Sequence, residues 1–352
     1  MRRREFIALM GANVIWPFAA LAQQAGRTYG LGVLLPHPRD VPVSVAFLEE
    51  FRRRGFIEGQ NLTVEYRAYG LHPDLISQYA AELVKARVDA IVTGGDEATR
   101  ALQQATKTIP ISTMSGDLLE SGLVNSLARP DGNTTGVSLL GRDQDGKRQE
   151  ILIEAVPGLR RMAALVADDV KNTPAKLDAL QQAARAQGVE LSILRVARGD
   201  QIAGAIERAQ ASGATALNIL GSALLFANAH LIMERAAALR LPAMFFFPEE
   251  AEEGAFAGYG PRNTQLFTEI QLQQVIKLFH GAKVADIPVE QPTKFELVIN
   301  LKTAKAMGVK VPPSLGDRIA PVSSAHGPKA KSGPALKWSA HRGGSDVRSG
   351  RP

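Results

Sequence analysis

The chain has 352 residues, no cysteine and a formal net charge of +6. Such a length can bury a core without cross-links, and the missing cysteine excludes disulfides, thiolate metal sites and a cysteine-linked lipid anchor. The positive charge does not indicate a nucleic-acid partner: three arginines fall within residues 1–22 and six Lys or Arg within 323–352, leaving 32 basic against 33 acidic residues between them and no basic stripe with interleaved aromatics.

The first 22 residues read as an export signal. Arg2, Arg3 and Arg4 precede an apolar run from Phe6 to Leu21, and Ala20 and Ala22 supply small residues for cleavage before Gln23. Gly11, Asn13 and Pro17 interrupt the run, which suits a signal better than a span of about 20 apolar residues. Arg3-Arg4-Glu5-Phe6-Ile7 also resembles a twin-arginine signal. The expected location is periplasmic, by the Tat or the Sec route.

From Tyr29 onward, β-rich apolar runs alternate with helical patterns, the mark of parallel α/β architecture. The first set places strands at "YGLGVLLP", "NLTVEYRAY", "DAIVTGG" and "IPISTMS". Between them lie the helices "SVAFLEEFRRRGF", with Val45, Leu48 and Phe51 expected on one inward face, "DLISQYAAELVKA" and "EATRALQQATK". A second set follows "GNTTGVSLL", with strands at "RMAALVAD", "VELSILRV", "ATALNILGS" and "PAMFFFP". Its helices are expected over 146–156, 174–187, 200–211 and 227–239. Each set makes one doubly wound lobe. The last 30 residues, 323–352, are rich in Gly, Ser, Pro and cations without apolar periodicity, so a disordered basic tail is expected.

Two such lobes imply a cleft lined by the loops at the carboxyl ends of the strands. In the first lobe those loops carry Pro36 and His37, then Gly94, Gly95 and Asp96, then Met114, Ser115, Gly116 and Asp117. In the second they carry Asp168 and Asp169, then Gly221 and Ser222, then Phe246, Phe247 and Glu249. Each has a plainer reading beside it. Gly94 and Gly95 can simply make the turn and Asp96 simply cap the helix. In "FFF" successive rings must point to opposite faces, so only the ring nearest the strand end is the expected ligand contact.

Catalytic patterns are missing: the sequence has no GxxxxGK[ST], no GxGxxG after a strand, no HExxH and no GxSxG. Its six histidines, at 37, 72, 230, 280, 326 and 341, are scattered without metal-ligand spacing. No enzyme, cofactor or metal is expected.

Four stretches carry a resemblance: "FLEEFRRRGFIEGQNLTVEYRAYG" (47–70), "GLVNSLARPDGNTTGVSLL" (122–140), "KRQEILIEAVPGLRRMAAL" (147–165) and "PTKFELVINLKTAKAMGVKVPPSL" (292–315). With "RRREFI" and "AQQ" at the start, the chain resembles the ABC-transporter substrate-binding proteins of the type 1 periplasmic fold, in the branch related to tryptophan- and tyrosine-type binding proteins. The resemblance implies two lobes joined by three hinge crossings, here expected at 136–140, 258–260 and 295–300. Lobe 1 would comprise 27–136 plus 258–290, and lobe 2 would comprise 140–257 plus 291–322.

It further implies a monomer that captures a small molecule, such as an amino acid or related carboxylate, by hinge closure and presents it to a membrane permease. Beside this stand an exported α/β enzyme using Asp117 or Asp168 as base and a ligand-sensing partner of a membrane receptor. The family pattern stops at Leu315, where "GDRIAPVSSAHG" follows; a frameshift is one reading of that change.

Overall fold

The computed structural model describes residues 27–70, 72–139, 141–168 and 174–318. The expectations for the export signal, for Asp169 and for the tail lie outside them. Two sheets are present. The first joins β1 (Tyr29–Leu35), β2 (Leu62–Ala68), β3 (Ala90–Gly94), β4 (Ile111–Ser115) and β5 (Thr134–Ser138) in the order β2-β1-β3-β4-β5, all parallel. The second joins β6 (Arg161–Ala167), β7 (Glu190–Val196), β8 (Leu217–Ile219), β9 (Ala243–Phe245), β10 (Ala257–Gly260) and β11 (Glu296–Ile299) in the order β11-β10-β9-β8-β6-β7. Only the β10–β11 pair is antiparallel. Strand order reverses beside β1 in one sheet and beside β6 in the other, and a crevice opens at the strand ends there.

Helices cover the sheets as parallel strands require. In the first lobe they are α1 (Pro42–Arg53), α2 (Ile76–Lys85) and α3 (Asp96–Ala105). Pro42 starts α1 with a φ already suited to the first turn. Its inward face is Val43, Phe47 and Phe51, whereas Val45 is 43% exposed, one step round the helix from the face expected. Phe51 and Phe56 meet Tyr29 and Phe279 in one aromatic cluster, with the Tyr29 and Phe279 ring centroids 4.9 Å apart.

The second lobe carries α4 (Gly141–Ala155), α5 (Pro174–Ala186), α6 (Ile202–Ala211), α7 (Ala223–Ala227), α8 (Ala229–Ala238) and α9 (Pro248–Glu253). α4 begins five residues before the expected start at Gly146; glycine weakens a helix interior but does not forbid it. This extra turn carries Gln144 and Asp145 to the crevice.

After β10 the chain returns to the first lobe through α10 (Asn263–Gln265), a π-helical turn (Leu266–Gln271) and α11 (Leu272–Phe279). Gln271 Nε2 donates to Thr93 O at 3.3 Å and to Ser112 O at 3.2 Å, and Gln274 Nε2 donates to Gly136 O at 3.0 Å. The chain re-enters the second sheet at β11, followed by α12 (Leu301–Met307), which ends at Gly308. Because β10 and β11 lie wholly in the second sheet, the last two passages between sheets fall after Gly260 and before Glu296 rather than within 258–260 and 295–300. Gly258 and Gly260 answer to packing: a Cβ on either would lie 2.1 Å from the carbonyl oxygen of Phe247 or Phe246.

Candidate functional site

Between the two sets of strand ends lies a cavity of about 1200 Å³, its open mouth included. The first lobe contributes Pro36 and His37 after β1, Gly94, Gly95 and Asp96 after β3, and Met114, Ser115, Gly116 and Asp117 after β4. The second contributes Gly221 and Ser222 after β8 and Phe246 and Phe247 after β9. The lobes touch across this space. The His37 and Phe226 rings are 5.7 Å apart, and a Cβ on Gly95, whose φ is +87°, would lie 2.9 Å from Ala223 Cβ.

One part of the lining is aromatic. Phe246 and Phe247 sit just beyond the three-residue strand β9, so both rings reach the cavity while Phe245, inside the strand, is fully buried core. The expectation that only one ring would do so assumed a longer strand. Phe226 adds a third ring, 5.7 Å from Phe247 and 6.1 Å from Phe246. Phe267 enters from the π turn, 6.3 Å from His37.

His37 completes this group as a neutral ring: burial pushes its pKa down to about 4 against a lesser opposing pull from the Pro38 backbone. Its Nδ1 lies 3.0 Å from Ser44 Oγ, and Ser44 Oγ lies 2.9 Å from the Tyr66 hydroxyl. Burial raises the Tyr66 hydroxyl to about 12. An uncharged aromatic pocket favours an apolar or aromatic group.

The other part is polar. Asp96 is the first residue of α3, with Gly95 rather than Asp96 at the capping position. Its two carboxylate oxygens accept separately from Ser115 Oγ and Ser121 Oγ, and Arg100 Nη2 is 4.0 Å away. The Gly95 N–H donates to Met114 O at 2.8 Å, so this amide belongs to the sheet. Asp117 Oδ1 accepts from the Leu119 and Glu120 amides, each at 3.0 Å; this carboxylate organises its own turn. Ser222 Oγ accepts from Leu225 N at 2.9 Å and starts α7.

On the second lobe, α4 and α5 bring together Asp145, Arg148 and Lys176. Arg148 Nη2 pairs with Asp145 Oδ1, Lys176 Nζ lies 2.7 Å from Asp145 Oδ2, and Arg148 Nη1 donates to Tyr259 O at 3.3 Å. Among the described residues, Arg148 Nε, Gln144 Oε1 and Asn263 Oδ1 are buried without a hydrogen-bond partner, and all three side chains line the cavity. Sequence reading missed this group, as it missed Phe226 and Phe267. Asp145 and Arg148 sit three apart in a highly charged stretch that reads as an exposed helical face.

Two expected residues lie elsewhere. Asp168 pairs with Arg195 at 3.0 Å on the surface, both side chains 47% exposed. Glu249 lies behind the cavity wall, accepting from Thr264 N at 3.1 Å, with its pKa raised by burial. Asp117 lines the cavity with one oxygen spent on its own turn, and Asp168 is not part of the lining.

The model of the family described as "ABC transporter substrate binding protein" matches residues 31–321. A tyrosine-binding protein of Clostridioides difficile is 24% identical over 289 residues, which is 81% of each chain. Two solved structures each superpose with a TM-score of 0.73. The ABC domain in complex with L-Trp from Streptococcus pneumonia is 20% identical over 83% of this chain and 99% of its own. A conserved domain protein from Vibrio cholerae is 22% identical over 84% and 99%. The ligand-free, open structure of a substrate-binding protein with adhesive properties from Clostridium difficile covers 84% and 98% at 20% identity, with a TM-score of 0.55. These structures share the two-lobed α/β fold read from the sequence, and the family is one of substrate-binding proteins rather than enzymes. A match over residues 31–321 embraces both sheets and the cavity between them, and the chain belongs to the ABC transporter substrate-binding protein family.

Proposed function

We propose that this protein is the periplasmic binding component of an ABC uptake transporter, that it holds an amino acid with an apolar, ring-bearing side chain in the inter-lobe cavity, and that it hands this cargo to a membrane permease. The observation that carries the reading is the cavity itself: three phenylalanines, Phe226, Phe246 and Phe247, face a space also lined by Asp96, Arg148 and Lys176. Aromatic walls suit a ring, and charges of both signs suit a zwitterion. The tyrosine-binding relative and the L-Trp complex support the same class of cargo.

Capture works by closure. The contact of Gly95 with Ala223 and the higher TM-score with the L-Trp complex than with the ligand-free open structure support a closed arrangement here. The ligand favours that arrangement only by its better affinity for it. The arginine-led start of the chain supports export; ligand-bearing monomers docking on a permease would follow.

Thermal unfolding against the amino acids, nucleosides and sugars tests this. A ligand at 100 times its dissociation constant adds about 2.7 kcal/mol, enough to raise the midpoint by several degrees. The expected result is a shift with tryptophan, tyrosine or phenylalanine that is lost in Phe247→Ala, each protein being read against its own unliganded midpoint, because Phe247 is 5% exposed and removing a buried ring itself costs about 3–5 kcal/mol. A shift with sugars or nucleosides alone would overturn the assignment.

A further inference from the structure

Resting on the amino-acid reading above, we infer that His37 Nε2 is a hydrogen-bond acceptor turned to the cavity, and that it selects an aromatic side chain whose ring carries an N–H or O–H donor, as indole and phenol do and phenyl does not.

The hydrogen bonds behind His37 set which ring nitrogen holds the proton. Tyr66 Oη lies 3.1 Å from His37 O and 3.4 Å from Pro38 O, and a carbonyl only accepts, so the single phenolic hydrogen is spent there. No backbone N–H among the described residues reaches either carbonyl. Ser44 Oγ is 2.9 Å from Tyr66 Oη, and with the phenolic hydrogen engaged the serine is the donor of that pair. Its own hydrogen thus used, Ser44 Oγ accepts at its other contact, 3.0 Å from His37 Nδ1. The proton therefore sits on Nδ1. Pro38 has no backbone N–H, so its pull on the ring is also that of an acceptor for a ring proton. In a neutral imidazole protonated at Nδ1, Nε2 is a bare acceptor.

That nitrogen stands where a ligand ring would lie. His37 is 7% exposed, its ring is 5.7 Å from Phe226 and 6.3 Å from Phe267, and all three side chains line the cavity. Among the described residues Nε2 takes no hydrogen bond, yet it is not one of the orphan atoms sealed from solvent. It is open to the cavity. A ligand ring packed against Phe226 lies beside it, and an indole N–H or a phenol O–H gives it a partner. A phenyl ring strips water from the same acceptor and returns nothing, which costs more than a met bond gains.

Two measurements on the full chain test this. Nitrogen-15 NMR of the unliganded protein with labelled histidine, at neutral pH, should show one ring protonated at Nδ1 and bare at Nε2 whose signals vanish in His37→Phe. Calorimetry should show tryptophan bound about tenfold more tightly than its benzothiophene isostere, which has sulfur in place of the indole N–H, and tyrosine about tenfold more tightly than phenylalanine. His37→Phe should bring each pair within about threefold. Ser44→Ala frees the ring to change tautomer, so it should narrow the same ratios while leaving the isostere within about threefold of its wild-type affinity, which a purely structural role for Ser44 would not do. A preference in either pair that is lost in these variants supports the assignment, and the pair that shows it names the ring. Parity in both pairs, a preference that survives His37→Phe, or a proton on Nε2 would overturn it. If His37→Phe does not fold, Ser44→Ala and the wild-type series settle the question. Failure of wild type to bind tryptophan, tyrosine or phenylalanine would instead bring down the amino-acid reading, with the tautomer still read independently by NMR.

Discussion

Gly95 stands where the lobes meet. Its φ of +87° belongs to a region that side chains avoid, and a Cβ there would lie 2.9 Å from Ala223 Cβ. Gly95→Val should therefore cost about 1–3 kcal/mol of stability and also hold the lobes apart. Calorimetry should show affinity falling further than the loss of unfolding midpoint explains; unchanged affinity would mean that closure does not bring these positions together. His37 gives the cavity a pH dependence. Its pKa is about 4 in the fold against roughly 6.5 in the unfolded chain. As pH falls through that window the unfolded chain takes up a proton that the fold refuses. Stability is fully present above about pH 6.5 and declines towards pH 4, by roughly 3 kcal/mol at most. His37→Asn keeps an acceptor without titrating, so its stability relative to wild type should improve as the pH is lowered across the window. A gap constant from pH 7 to pH 4 in denaturant titrations would show that His37 is not the neutral buried ring seen here.

The return element through α10, the π turn and α11 joins the site to the first lobe's core. Gln274 Oε1 accepts from Ser112 Oγ at 2.8 Å while its Nε2 donates to Gly136 O, and Phe267, seven residues earlier, lines the cavity. Gln274→Leu would leave buried polar groups unmet, and a loss of about 2 kcal/mol is expected. In urea unfolding the midpoint should fall with an unchanged slope; a neutral result would mean the sheet end tolerates a free helix. At this scale much was legible in the sequence. Strands such as β1 and β6 announce themselves as apolar runs because both faces of a parallel sheet are covered. The start of α4 was not: Gly146 looks like a boundary, so the turn bearing Gln144 and Asp145 read as loop. Phe267 was equally hidden, since a ring at helical spacing reads as core, and only the return path of the chain turns it to the cavity. Asp168 looked like a crevice residue by position after β6, yet it lies on the surface beside Arg195. Local pattern reports burial well, but which buried groups converge depends on how two separate sheets face each other.

For the molecule as a whole, the account is of two lobes that share the lining of one cavity. Both lobes line it: Asp96 lies on the first, and Asp145, Arg148, Lys176 and the phenylalanines at 226, 246 and 247 lie on the second. The scattered glycines and loop residues from both halves of the sequence become one site only through this pairing, which is why the sequence indicated the strand ends but not their partners. The most direct measurement is a crystal structure of the protein grown with saturating L-tryptophan. The account predicts the amino acid between the closed lobes, its ring against Phe226 and Phe247. Closed lobes with no amino acid between them, or tryptophan bound on the outside of either lobe, would contradict it.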